Sequence, residues 1–151
     1  MKKLSKIAAV AMFGFAALTS SVASAGSNSG SFNVNINLTA TCTLAAMTGP
    51  TLAYTSFQTT NASGTVAAGA TCTTNLPYSF SLDATTVTDT DTGIQYSITG
   101  VPSGPQTGSG TAQPFTMTVT AQNGQAGSCN TGSCTNTVLN TNNVRTLTVS
   151  W

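Results

Sequence analysis

Residues 31–42 read SFNVNINLTATC. Phe32, Val34, Ile36 and Leu38 alternate strictly with Asn33, Asn35 and Asn37, the two-residue period of a strand with one apolar and one polar face. Gly26 to Gly30, just upstream, contain only Gly, Ser and Asn and read as a flexible leader. A strand on such a tether can pair within its own domain or with another.

Working outward, the first 25 residues read as a secretion signal rather than as part of the fold. Lys2, Lys3 and Lys6 form a basic start, Ile7 to Leu18 an apolar run, and Ala23-Ser24-Ala25 a small-residue cleavage site. Cleavage is expected between Ala25 and Gly26. The apolar run is too short to favour a spanning helix, and no later run approaches ~18 apolar residues. The remaining chain, about 126 residues, suits one domain with a sizeable core.

Cleavage would change the charge. The whole chain carries a formal +1, but all three lysines lie in the leader. Arg145 then faces Asp83, Asp89 and Asp91, a balance of −2. Nucleic acid and anionic membrane both call for a basic footprint, so neither is an expected partner, and no membrane insertion is expected. So little charge suits a subunit held inside an assembly better than a free monomer.

The four cysteines, Cys42, Cys72, Cys129 and Cys134, read in an exported chain as two disulfides, with three possible pairings. Only Asn-Thr-Gly-Ser separates Cys129 from Cys134, which favours a local clip there. That leaves Cys42–Cys72, a loop of about 30 residues whose closure is worth ~3–4 kcal/mol. A zinc site is disfavoured, because histidine is absent and the spacings form no paired C-x-x-C knuckles.

Alternation recurs along the chain. Cys42-Thr43-Leu44 continues the opening strand after a break near Ala40-Thr41. Further strands are expected over 51–59 (Leu52, Tyr54, Phe57), 65–73 (Val66, Cys72), 77–84 (Tyr78, Phe80, Leu82) and 93–101 (Ile94, Tyr96, Ile98). Two more fall at 114–121 (Phe115, Met117, Val119, Ala121) and 145–151 (Leu147, Val149, Trp151). Gly, Pro, Asn and Ser clusters separate nearly all of them. Threonine, roughly a fifth of the chain, favours strands, and no stretch after the leader shows a helical period. About seven half-buried strands predict an antiparallel sandwich of immunoglobulin-like type. Residues 124–141 are polar and Gly-rich and read as a long loop held by the local clip.

Catalytic chemistry finds little material. Histidine and glutamate are absent, and every lysine lies in the leader. Acid–base work would fall to three aspartates or a tyrosine, and no base flanks a serine or cysteine nucleophile. No enzyme and no cofactor is expected. Asp89 and Asp91, in TDTDTG, read as solvated loop carboxylates; a weak calcium site is the rival, although the closing acidic ligand is missing. Asp83 reads as a surface residue. Tyr54, Tyr78, Tyr96 and Trp151 read mainly as core packing, with a sugar-binding platform as the rival.

In combination these features resemble the spore-coat-U-like pilins of archaic chaperone–usher fimbriae, the family of the Csu pilus major subunit. The matching features begin with the cleaved leader, the four alternating hydrophobes Phe32, Val34, Ile36 and Leu38, and Cys42 four residues later, followed by Thr43-Leu44. Cys72 then precedes LPYSFSLDA, and the chain closes on RTLTVSW. The resemblance implies an incomplete immunoglobulin-like sandwich, residues 41–151, that lacks one strand. A neighbouring subunit's N-terminal segment, residues 26–40, would supply it. Before that, a periplasmic chaperone would fill the gap and an outer-membrane usher would exchange it. By the same analogy Cys42–Cys72 is the structural disulfide. Leu147 and Val149 lie on the strand that meets the chaperone, and the Trp151 carboxylate sits at its basic anchor. The pair Cys129 and Cys134 departs from the pattern. The implied function is a major pilin, exported through the periplasm and polymerised head to tail at the cell surface, supporting adhesion and biofilm formation. The alternatives are a secreted glycan-binding sandwich using Tyr54, Tyr78 or Tyr96, and a non-fibrous coat or matrix protein whose opening strand pairs at home.

Overall fold

A computed structural model describes residues 26–136 and 143–151. The expected signal segment, with Ala25 of its cleavage site, lies outside the described residues, as do residues 137–142 of the long loop. The chain divides into two units, Met1–Ile36 and Asn37–Trp151. The described part of the first, residues 26–36, contains no helix or strand.

The second unit is all-β among its described residues. Its strands are β1 (Cys42–Leu44), β2 (Ala62–Cys72), β3 (Pro77–Leu82), β4 (Thr86–Thr88), β5 (Gln95–Thr99), β6 (Gln106–Thr107), β7 (Ala112–Ala121) and β8 (Leu147–Ser150). They form a five-stranded sheet, β1-β2-β7-β5-β4, and a three-stranded sheet, β6-β3-β8. Every pairing is antiparallel.

The long pair β2–β7 is the backbone of the larger sheet, in register from Ala62 opposite Ala121 to Thr71 opposite Ala112. Val66, Ala68, Ala70 and Cys72 alternate inward along β2, and Met117, Val119 and Ala121 along β7. Ile98 of β5 and Leu147 of β8 join this core, with Phe80 and Leu82 of β3 packed against it, so both sheets contribute to one apolar layer. A second cluster gathers Cys42, Ala70, Cys72 and Tyr78, with Leu44, Leu76, Phe80 and Val149 against it. Gly100 ends β5 at φ 88°, where an L side chain is strained and a Cβ would lie 2.5 Å from the Thr116 carbonyl oxygen.

The strand expected over 51–59 does not form. Instead the segment straps the ends of the larger sheet. The Tyr54 hydroxyl donates to the Gln122 carbonyl (2.7 Å) and accepts the Gln125 N–H (2.9 Å). The Phe57 N–H donates to the Gln125 carbonyl (2.8 Å), and the Gln58 N–H closes a turn on the Thr55 carbonyl (3.0 Å). Phe57 sits in that turn at φ 62° and is 71% exposed.

Candidate functional site

The strand order places β1 at one edge of the five-stranded sheet and β8 at one edge of the three-stranded sheet. Cα atoms of the two come within 8 Å of each other, yet among the described residues no ladder joins them. The two sheets therefore meet at an unsealed seam. Leu44 and Val149, both half-buried, belong to the apolar cluster beneath it. A sheet edge of this kind offers backbone N–H and C=O groups to an added strand.

The expected disulfide Cys42–Cys72 is formed and lies under β1. Its two residues are direct partners across the β1–β2 ladder, and Cys72 is 1% exposed. The Thr41 N–H donates to the Thr73 hydroxyl (3.0 Å), and the Thr73 N–H to the Thr41 carbonyl (3.0 Å). The start of the domain is thus pinned at the strand edge.

Upstream of that pin, residues 26–41 carry no strand. Phe32, Val34, Ile36 and Leu38 are 85%, 69%, 86% and 77% exposed. At the other end, Leu147 is buried, Val149 half-buried and Trp151 58% exposed. Trp151 faces a shallow depression of about 320 Å³ shared with Pro77, Tyr78, Ser79, Pro105 and Ser150. Core packing, expected for all four large aromatics, therefore fails for Trp151, because the strand that carries it ends at Ser150.

The tyrosines do not gather into an exposed platform. Tyr78 is buried, its hydroxyl on Gln113 Oε1 at 3.0 Å. Tyr54 is committed to the Gln122–Gln125 strap. Tyr96 is half-buried, and desolvation pushes its phenol above the ordinary value of 10.0, against the opposing pull of Arg145.

Asp89 corrects the expectation of two solvated loop carboxylates. It is only 2% exposed. One oxygen accepts the Thr92 N–H (2.9 Å) and hydroxyl (2.6 Å), the other the Asn136 side-chain amide (3.2 Å). It joins the β4–β5 turn to the long loop, a partnership across 47 residues that a reading of TDTDTG alone could not find. Asp91 stays exposed. Among the described residues no three His, Cys, Asp or Glu side chains gather as metal ligands. Asp83 is a surface residue, as expected, and meets Arg145 at 3.5 Å.

The local clip is not closed: Cys129 and Cys134 are exposed free thiols. The loop is held instead by the Ser128 N–H on the Thr92 carbonyl (2.6 Å) and by Asn136 on Asp89. Among the described residues no helix is long and apolar enough to cross a membrane. Comparison with known proteins gives no match to a family model, a curated protein or a solved structure.

Proposed function

We propose that this chain is the structural subunit of an extracellular chaperone–usher pilus, an incomplete immunoglobulin-like sandwich completed by a strand from a neighbouring copy. The observation that carries this reading is the exposure, 69% to 86%, of four alternating hydrophobes on a segment without strand structure. Exposed apolar side chains at that spacing suit insertion as a β-strand: main-chain bonds give pairing, and alternate side chains enter pockets. The seam between β1 and β8 supports the acceptor half, because it offers two strand edges over an apolar floor.

The magnitudes fit. Ten extended residues span ~33 Å, enough to cross a domain. Burying four large hydrophobes is worth on the order of 6–12 kcal/mol before ordering costs. A head-to-tail contact of this kind builds a fibre when its rotation does not close. Before assembly the seam is the place for a periplasmic chaperone, with Leu147, Val149 and Trp151 on the strand that meets it, and an outer-membrane usher carries out the exchange. Adhesion and biofilm formation at the cell surface are the corresponding roles.

The test is expression of the full chain and of a chain lacking residues 26–40, each with its cognate chaperone, followed by negative-stain imaging. Fibres from the full chain alone, with the truncated subunit still folded in its chaperone complex, are expected. A stable, chaperone-independent monomer from the full chain, together with unfolding on truncation, would overturn the reading and place the strand at home.

A further inference from the structure

The long loop between β7 and β8 holds two exposed thiols that the assembly reading does not use. Cys129 and Cys134 are separated by Asn-Thr-Gly-Ser, and the Cys134 thiol lies 3.6 Å from the carbonyl oxygen of Ser128, the residue before Cys129. Both sit on a stretch anchored at each end to the same turn. Ser128 donates to the Thr92 carbonyl, and Asn136 donates to the Asp89 carboxylate. Thr131 donates its hydroxyl to the Ser133 carbonyl (2.6 Å), folding the four-residue link back on itself. Cys42–Cys72, by contrast, is buried, with its two residues 7% and 1% exposed.

We propose that Cys129 and Cys134 form an exchangeable dithiol–disulfide pair, with an organic disulfide as the substrate. Closure of the pair fastens residues 128–136 over the β4–β5 turn and the buried Asp89 carboxylate.

Both thiols are exposed, so either can attack the substrate first. The thiolate is the attacking species in thiol–disulfide exchange. In the first step one of the two thiolates bonds to one sulfur of RSSR and expels RS⁻. In the second, the other thiol loses its proton and attacks the protein sulfur of that mixed disulfide, expelling the other RS⁻. Two thiols are oxidised to one disulfide here, one disulfide is reduced to two thiols there, and the two protons released end on the expelled thiolates. An exposed, short-loop disulfide is open to the reverse exchange, whereas the buried one is shielded from it.

The full chain is incubated with glutathione disulfide, and separately with an oxidised thioredoxin-fold oxidoreductase. Free thiols are then capped with N-ethylmaleimide and mapped by mass spectrometry. The expected result is a Cys129–Cys134 bond that opens again under mild reduced glutathione while Cys42–Cys72 stays closed. Faster closure by the oxidoreductase assigns the substrate to a protein, and faster closure by glutathione disulfide assigns it to a small molecule. Cys134→Ser and Cys129→Ser should each trap a mixed disulfide at the remaining thiol, because the second attack is removed. Hydrogen exchange at Ser128 and across residues 89–94 should slow on closure. Two free thiols persisting under both oxidants, no mixed disulfide in either variant, or unchanged exchange on closure would each overturn the proposal.

Discussion

Cys42 faces Cys72 directly across the β1–β2 ladder, so a three-residue strand at one edge of the larger sheet is covalently joined to the eleven-residue β2. The bond closes a separation of 30 residues. Cys42→Ser combined with Cys72→Ser should lower stability by about 3–4 kcal/mol, read as a shifted midpoint in urea unfolding of the full chain. A loss under about 1 kcal/mol would mean that the reduced, unfolded chain already keeps this loop closed.

Val34→Asp or Ile36→Asp should abolish fibre formation and leave the domain folded. The two residues are 69% and 86% exposed, so under the proposed strand donation a charge there would meet water in the free subunit and an apolar pocket only in the polymer. Fibres by negative stain and circular dichroism of the chaperone-bound subunit are the paired readouts. Unfolding of that subunit by either change would show that the segment belongs to its own core.

Phe57 holds a left-handed backbone, φ 62°, at a strap turn, and is largely exposed. A bulky residue in that region carries strain of about 1 kcal/mol or more. Phe57→Gly should therefore raise stability by about 1 kcal/mol, a rise of a few degrees in Tm. A fall of similar size would assign the ring a packing role that outweighs the strain.

The raised pKa of Tyr96 gives stability an alkaline limit. The phenol loses its proton less readily in the folded chain because burial disfavours the phenolate. Above the ordinary value of 10.0 the unfolded state gives up that proton first and binds fewer protons than the native one. Stability then falls as pH rises, until the folded phenol also ionises. Denaturant midpoints between neutral pH and pH ~11 should decline, and Tyr96→Phe should flatten the decline. An unchanged slope would move the alkaline sensitivity to another group.

Strands were legible where alternation ran long enough to declare a face. Tyr78, Phe80 and Leu82 announce β3, and Phe115, Met117, Val119 and Ala121 announce β7. β4 and β6 were not legible, because three and two residues are too few to show a period. The reverse error occurred at 51–59. Leu52, Tyr54 and Phe57 space themselves like a strand face, yet Leu52 packs on the core, Tyr54 is fixed by its hydroxyl, and Phe57 turns outward. Asp89 escaped for a different reason. Its burial depends on Asn136 folding back across the β4–β5 turn, and local polarity carries no trace of that. Of the candidate site, the exposed hydrophobes and the C-terminal strand were read from spacing. The meeting of the β1 and β8 edges needed three dimensions, since strand order is set by pairings far apart in sequence.

The bond beneath β1 also decides how the domain answers a mechanical pull. Tension drawn along residues 26–41 enters the fold at Cys42. With only the hydrogen bonds of a three-residue strand to resist it, β1 would peel from its edge one residue at a time. The disulfide passes the load to Cys72, at the C-terminal end of β2, whose ladder with β7 runs ten residue pairs from Ala62 to Thr71. That short edge strand is thereby taken out of the load path, and extension has to disturb the long β2–β7 ladder before the domain can yield.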